Sequence, residues 1–136
     1  MTLSKRNLFL RFATLALLIA LPAIVSADHN NRVRLETDLS TTAADPDAEG
    51  HARFESRTDR VRFRVEVEDI DVTASVNVLV NGNLIGTITL DNGFGELDLN
   101  TKDGDKVPVL KAGDEVEIVD AADGATLLLV GTLSPK

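Results

Sequence analysis

Apolar and polar residues alternate with a period of two along most of the chain beyond its N-terminal segment. In the first such stretch, Val33, Leu35 and Leu39 share one side. Arg34 and Glu36 share the other side. This period places successive side chains on opposite faces of a β-strand, whereas an amphipathic helix has a period of 3.6 residues. The pattern therefore predicts strands, and no segment shows convincing helical spacing.

Short groups of Gly, Asn, Asp and Pro separate the alternating segments. The first, Ser40–Glu49, is a polar connection in which only the Thr41–Ala44 run hints at a helix. Pro108 cannot donate a backbone hydrogen bond, so its neighbourhood is predicted to be an edge or a connection. The predicted turns are Asn81-Gly82, Asp91-Asn92-Gly93, Thr101–Asp105, Ala112-Gly113-Asp114 and Asp123-Gly124. This spacing predicts an all-β fold, an antiparallel β-sandwich of the Ig-like or Greek-key type with about eight strands.

The clearest predicted hairpin follows the polar connection. If Ser56–Asp59 is a four-residue loop, Phe54 lies opposite Val61. The same loop places Glu55 opposite Arg60, so apolar and charged residues both match across the strands.

A second hairpin is predicted at Asn81-Gly82, because both central positions of a two-residue turn need positive φ and these residues tolerate it. This turn pairs Val80 with Asn83 and Val78 with Ile85. We favour it over a longer loop that includes Asn83, although a slip of one residue would turn every side chain to the other face. The longer loop would align the apolar residues Val76, Val78, Val80, Leu84, Ile88 and Leu90 on one face.

The last predicted strand, within Thr126–Leu133, is apolar on both faces, which predicts a central position in the sheet. The aromatic residues of the predicted strands are Phe54, Phe63 and Phe94, and we expect all three in the core.

The first 27 residues have the pattern of a secretory signal peptide. Basic residues at Lys5 and Arg6 precede the apolar run Phe12–Leu21, which is shorter than the roughly 20 residues of a membrane span. The small residue Ala27 predicts cleavage between Ala27 and Asp28. We therefore expect a secreted or periplasmic protein that is free of the membrane after cleavage.

Cleavage would leave a single predicted domain, residues 28–136. Of the 14 Lys and Arg residues, three lie in the signal, so 11 remain against 22 Asp and Glu, a net charge of −11. Such a charge repels nucleic acid and anionic lipid, which we exclude as partners. The chain has no Cys, so its fold depends on a hydrophobic core without disulfides.

An acidic segment near residue 100 has some features of a calcium-binding loop. An EF-hand loop needs Gly at its sixth position, but that position is Asp103 and the glycine, Gly104, comes one place later. The segment is better explained as an acidic turn. Weak Ca²⁺ binding is the alternative, with the candidate ligands Asp98, Asn100, Asp103 and Asp105. No other cofactor is expected.

Basic side chains dominate the outward row of the first hairpin. Its candidate anion-binding residues are Arg53, Arg60, Arg62 and Arg64, with His51 beside them. They could bind phosphate or an acidic polysaccharide. We favour the alternative that the row is a solvated face with ion pairs between neighbouring strands.

The sequence does not favour catalysis. His51 is the only plausible internal base, and no G-x-S-x-G motif presents a nucleophile. Carbohydrate-binding surfaces rely on aromatic side chains, yet Trp and Tyr are absent. We therefore expect no enzymatic activity.

The run Glu49–Phe54, followed by Val61–Ile70, resembles the "G-x-A-x-F … F-x-V-x-V-x-x-[LI]" opening of CHRD-type domains, which are secreted β-rich modules found in chordin and in bacterial proteins. The resemblance covers about residues 33–70. The histidines that these domains carry after this region are missing from Thr73–Val80, so no functional residue is carried over.

The chain also resembles small uncharacterised secreted β-sandwich proteins of bacteria. It shares their V-N-G hairpin at Val80–Gly82 and their A-G-D-x-V turn at Ala112–Val116. Together the patterns predict a non-enzymatic module with a structural or protein-interaction role, whose partners are other secreted or surface proteins. The alternative is a calcium- or anion-binding secreted protein.

Overall fold

Strands make up most of the part of the chain that the computed structural model describes, residues 32–136. The predicted signal peptide and its cleavage site lie outside the described residues. Thr41–Ala44, the one hint of a helix, instead ends a strand and begins a turn, and Pro108 lies in a connection, as predicted. The strands are β1 (Val33–Thr41), β2 (Glu49–Arg57), β3 (Arg60–Glu68), β4 (Ser75–Val80), β5 (Asn83–Thr89), β6 (Gly95–Asn100), β7 (Glu115–Asp120), β8 (Leu127–Thr132) and β9 (Ser134–Pro135), and one 3₁₀ helix, Thr101–Asp103, follows β6.

The strands pair antiparallel in the order β5-β4-β7-β8-β1-β2-β3-β6, with β9 added beside β1. Strand β1 joins two layers, because Val33–Leu39 pair with β2 whereas Ser40 and Thr41 pair with β8. We call β1, β2, β3 and β6 the first layer, and β8, β7, β4 and β5 the second layer. Strand β6 returns beside β3 after the β4–β5 hairpin, which belongs to the other layer. The predicted all-β antiparallel sandwich is confirmed, and the approach of β5 to β6 nearly closes it.

The apolar sides of the two layers meet in one hydrophobic core. Phe54 and Phe63 of the first layer are fully buried, as predicted. The second layer contributes Val78, Ile118 and Leu129, which are also fully buried. Each such side chain stabilises the fold by roughly 1.5–3 kcal/mol relative to exposure, so this core can hold a chain that has no disulfide.

The prediction that Phe94 lies in the core is wrong, because 49% of its surface is exposed. Phe94 pairs with Asp91 across the bend before β6. The buried residue at the start of β6 is Gly95, so the inward positions of the strand are the odd-numbered ones. Alternation therefore turns Phe94 outward.

The predicted four-residue loop between β2 and β3 is also wrong. The strands continue until Arg57 pairs with Arg60, which leaves a two-residue turn. Phe54 consequently lies opposite Phe63 instead of Val61, and Glu55 lies opposite Arg62 instead of Arg60. Because the register differs by two residues, every side chain keeps its predicted face.

The two-residue turn at Asn81-Gly82 is confirmed, with φ of 50° and 82° at the two residues. Val80 pairs with Asn83, as this turn requires. Farther from the turn, a β-bulge shifts the register.

This bulge in β5 explains why the dipeptide and the apolar pattern favoured different registers. Val78 pairs with Gly86, so the predicted pairing with Ile85 is wrong. The extra residue turns Ile88 inward opposite Val76, where it is buried. The turn chemistry is therefore satisfied and Ile88 joins the core, whereas Leu84, beside the turn, stays 61% exposed.

The V-N-G and A-G-D-x-V motifs contact each other in the fold. Asn81 donates from Nδ2 to Asp114 Oδ1 over 3.0 Å, and its Oδ1 accepts from the backbone N–H of Glu115 over 2.9 Å. The other carboxylate oxygen of Asp114 accepts from the backbone N–H of Lys111. The pKa of Asp114 is lowered, chiefly by this backbone hydrogen bond and next by Asn81. The two motifs thus hold the β4–β5 turn against the start of β7.

The predicted central position of the last long strand is confirmed, since β8 lies between β7 and β1. Leu128 and Leu129 are consecutive, yet both are fully buried. A register shift opposite Ile118 and Val119 leaves Leu128 as an extra residue, which allows both side chains to point away from solvent.

Two glycines permit the close approach of the end strands. A Cβ atom at Gly86 would lie 3.0 Å from the Cδ atoms of Leu97, and one at Gly95 would lie 2.4 Å from Cγ2 of Ile88. The Leu97 and Ile88 side chains therefore fill the space next to Gly86 and Gly95. A side chain at either glycine would overlap them.

We predict that Gly95→Ala lowers the free energy of unfolding by roughly 1–3 kcal/mol, because the added methyl group would overlap Ile88. Urea unfolding measures this change. Thr89→Ala, at an exposed position of β5, is the control and should change stability by less than about 0.5 kcal/mol. An unchanged urea unfolding midpoint for Gly95→Ala would show that β5 and β6 are farther apart than in this structure.

We also predict that Asp114→Ala destabilises the protein by roughly 1–3 kcal/mol, since the Asn81 amide and the Lys111 N–H would lose their acceptor. Asp47→Ala, in an exposed turn, removes the same charge and should have a small effect. Equal unfolding midpoints for the two variants would contradict a structural role for the contact between the motifs.

Candidate functional site

Every arginine that the structure describes lies at the start of β1 or on the hairpin β2–β3, and together they form one outer surface. These residues are Arg32, Arg34, Arg53, Arg57, Arg60, Arg62 and Arg64. Alternation explains the arrangement, because inward positions of the same strands carry the core and outward positions carry charge. We call the outer surface of the first layer the arginine face.

Cross-strand pairing arranges this face in two adjacent rows. In one row, Glu55 of β2 lies between Arg34 of β1 and Arg62 of β3. In the other, Arg53 lies directly opposite Arg64. Like charges in directly opposed positions destabilise a sheet unless carboxylates offset them.

Glu55 is the carboxylate that draws together the arginines near the β2–β3 turn. Its oxygens lie 2.5 Å from Arg60, 3.0 Å from Arg32 and 3.2 Å from Arg57. Burial raises the pKa of Glu55, but the hydrogen bonds from Arg60 and Arg32 oppose it, and the net pKa is lowered. Glu55 is therefore ionised at neutral pH and fully engaged.

Glu36 has the same role at the other side of the face. Arg53 donates to it over 2.6 Å, and Lys136 Nζ lies 3.1 Å from its other oxygen. The hydrogen bond from Lys136 lowers its pKa most, burial opposes this, and Arg53 lowers the pKa further. The last residue of the chain thereby contacts the centre of β1.

The two inner arginines of β3 are held by carboxylates of β6 and β3. Arg62 donates from Nε and an NH₂ group to the two oxygens of Asp98, over 2.9 and 2.5 Å. Arg64 lies 2.8 Å from Glu96 and 2.9 Å from Glu66. The hydrogen bond from Arg62 lowers the pKa of Asp98. These pairs pull the guanidinium groups of β3 toward β6.

A recess of about 80 Å³ lies among these side chains, lined by Arg34, Arg53, Glu55, Arg62 and Arg64. The Nε atoms of Arg34 and Arg64 are buried and have no hydrogen-bond partner among the described residues. The Nε of Arg60, which does not line the recess, is likewise buried without a hydrogen-bond partner, and three such donors distinguish the face because buried donors are ordinarily paired.

His51 lies in a neighbouring row with acidic surroundings. Its Nδ1 is 2.8 Å from Asp38, and Glu66 lies across from it on β3. A groove of about 190 Å³ beside it also contains Glu49 and Glu68, which are directly opposed. Burial and then Glu49 raise the pKa of Glu68. His51 therefore faces carboxylates, whereas the recess is lined mainly by arginines.

The predicted calcium ligands are engaged within the fold. Asp98 binds Arg62, the side chain of Asn100 accepts from Lys102 N, and Asp105 accepts from the N–H of Asn100. Asp103 lies exposed in the 3₁₀ helix. In residues 32–136 no three His, Asp or Glu side chains are grouped as metal ligands. Calcium binding here stays a prediction.

Sequence reasoning placed three of the four recess arginines among its candidates, Arg53, Arg62 and Arg64, and missed Arg34 as a member of the site. It had assigned Arg34 to the outward side of the first strand, but it had not paired that strand with β2. Its fourth candidate, Arg60, binds Glu55 and is not among the residues that line the recess.

Comparison of the chain with models of known protein families and with curated proteins finds no match. Within the described residues, none of the helical structure is long and apolar enough for a membrane crossing.

We predict that Glu36→Gln lowers the free energy of unfolding by about 1 kcal/mol at neutral pH and has less effect in acid. The folded-state pKa of Glu36 is lowered, so its ionised form stabilises the protein above the unfolded-state pKa. This contribution is lost as the pH falls through the lowered folded-state value. Urea unfolding across this pH range measures it.

Glu117→Gln, on β7 of the second layer, removes the same charge away from the arginine face and serves as the control. The free energies of unfolding of wild type and Glu36→Gln should become more similar in acid. If they did not, the ion pairs of Glu36 would not stabilise the fold as predicted.

Proposed function

We propose that this protein is a secreted or periplasmic, non-enzymatic β-sandwich module that binds another secreted or surface protein through its arginine face. The observation that carries this proposal is the concentration of all described arginines on adjacent strands of one layer. Arginine is enriched at protein interfaces because its planar guanidinium group binds carboxylates bidentately and packs on apolar surfaces.

The ion pairs of the face support recognition more than stability. Exposed ion pairs each contribute only about 0–1 kcal/mol, so the network adds little to a sandwich with an apolar core. Pairing does fix the guanidinium groups in place, however, as the two bonds from Arg62 to Asp98 show. A partner would therefore meet a rigid charge pattern, which lowers the entropic cost of binding.

The distribution of charge supports a partner with exposed carboxylates. The chain as a whole is acidic. Few of the Lys and Arg residues that the structure describes lie outside the first layer. Complementary patches guide association and suppress wrong partners, although they contribute less to affinity itself. We propose that the acidic remainder disfavours nucleic acid and anionic membranes, as the net charge predicts.

The size of the recess argues against an organic substrate bound within it. Pockets for organic substrates usually have volumes of about 300–1,000 Å³. The recess, with about 80 Å³, is much smaller. His51, the candidate base, lies outside its lining. Export and the resemblance to CHRD-type domains stay predictions that rest on sequence patterns.

We predict that a partner captured from the extracellular or periplasmic fraction of the source cells is released by raised salt and lost in Arg53→Ala. The matched control, Lys106→Ala, removes one cation from a connection outside the first layer and should retain capture. A lysine-reactive cross-linker should join the partner through Lys136, which contacts Glu36 on the arginine face.

Equal capture by wild type and Arg53→Ala, with cross-links at Lys106 instead of Lys136, would overturn the proposed binding face. Urea unfolding of both variants verifies that the comparison is made between folded proteins.

A further inference from the structure

We propose that the recess of the arginine face binds a single oxyanion group, a phosphate or a sulfate, either free or as an ester on a larger molecule. The inference rests on the proposed function, because the recess lies within the proposed binding face, and it adds one phosphate or sulfate group to the carboxylates that the face is proposed to bind.

The charges that line the recess favour an anion. Four arginines and one carboxylate, Glu55, form the lining. Glu55 already faces Arg32, Arg57 and Arg60, none of which belongs to the lining. Its negative charge is therefore offset from outside the recess. The arginines are likewise paired with carboxylates outside the lining, so the excess of positive charge rests on the four-to-one composition of the lining itself.

Two of the arginines that line the recess have a buried donor without a hydrogen-bond partner, as does Arg60 outside the lining. Arg64 uses a terminal nitrogen for Glu66 and Glu96, and its Nε has no partner among the described residues. Arg34 comes no closer than 3.8 Å to Glu36, and its buried Nε is also unpartnered. These buried Nε atoms are closed to solvent, so an oxyanion in the recess would accept from the terminal nitrogens of the lining arginines, through charge-assisted hydrogen bonds.

The position of Arg53 opposite Arg64 supports the same ligand. Directly opposed like charges repel each other, and carboxylates at the periphery pull the two groups apart. A dianion between them would reduce the repulsion. The guanidinium group has the planar donor geometry that matches phosphate and sulfate oxygens.

Size limits the ligand to a small group. A cavity needs about 10–15 Å³ to hold one water molecule and several hundred Å³ to hold an organic ligand. The recess offers about 80 Å³, which suits a tetrahedral oxyanion that replaces a few waters. The acidic residues elsewhere on the molecule hinder binding little at physiological salt, where charges beyond about 8 Å are screened.

Isothermal titration of the full chain with sodium phosphate, at ionic strength held constant with sodium chloride, tests the site. We expect saturable binding of one phosphate in the millimolar range or tighter, and similar binding of sulfate. Arg34→Ala should weaken binding roughly tenfold or more, because Arg34 lines the recess and has only a long contact to Glu36. Lys106→Ala, which removes one cation from a connection outside the lining, should bind within about twofold of wild type.

Arg34→Lys keeps the charge but removes the guanidinium group, so it should also bind more weakly. Heat that depends only on ionic strength, or equal binding by wild type, Arg34→Ala and Arg34→Lys, would overturn the site. Urea unfolding of each variant shows whether a loss of binding reflects a loss of fold.

A sulfated polysaccharide is the second probe, and it distinguishes the two sources of the group. Tight polymer binding together with phosphate binding would support an ester on a polymer, and phosphate binding alone would support a free anion. Polymer binding without phosphate binding would overturn the recess, since a diffuse basic surface would explain it.

The oxyanion site and the proposed partner binding can fail independently in these experiments. If phosphate binds but no partner depends on Arg53, only the proposed partner binding fails. If a partner depends on Arg53 but phosphate does not bind, only the oxyanion site fails.

Discussion

The contact between the apolar faces of the two layers is the interaction on which the rest of the structure depends. The chain has no cysteine, so no disulfide connects β2 with the strands that it faces. Phe54 and Phe63 instead share one core with Val78 and Ile118 of the opposite layer. Most inward positions of the first layer carry apolar residues of this core, and its charged residues occupy the outward positions.

The arginine face is a consequence of that division. Its carboxylates hold the guanidinium groups in place, with Glu55 serving the turn between β2 and β3 and Glu36 serving the centre of β1. Ion pairs at a surface contribute little to stability, so this charge pattern is a better candidate for recognition than for holding the fold. Three buried Nε atoms of the face have no hydrogen-bond partner among the described residues: those of Arg34 and Arg64, which line the recess, and that of Arg60, which does not.

Alternation and turn chemistry predicted the class of fold, the faces of the strands and the turn at Asn81-Gly82. They did not predict registers that depend on distant contacts. The β2–β3 hairpin is tighter than expected because the strands continue to Arg57 and Arg60. Strand β5 contains a bulge because the Asn81-Gly82 turn and the apolar residues of β5 require pairings with β4 that differ by one residue. The aromatic side chain of Phe94 predicts a core position. The inward positions of β6 are the odd-numbered ones, however, so Phe94 is exposed.

By itself, the sequence determined that this is a strand-rich chain in which most strands carry their apolar side chains on one face, because a period of two matches the alternation of a strand and not the turn of a helix. It also determined that Arg53, Arg62 and Arg64 lie outward. Only the tertiary structure decided that Arg34 joins them, that Asn81 reaches Asp114, and that β6 returns beside β3. These contacts join residues far apart in the chain, and their pairing follows from how the two layers close around one core, which no local pattern encodes.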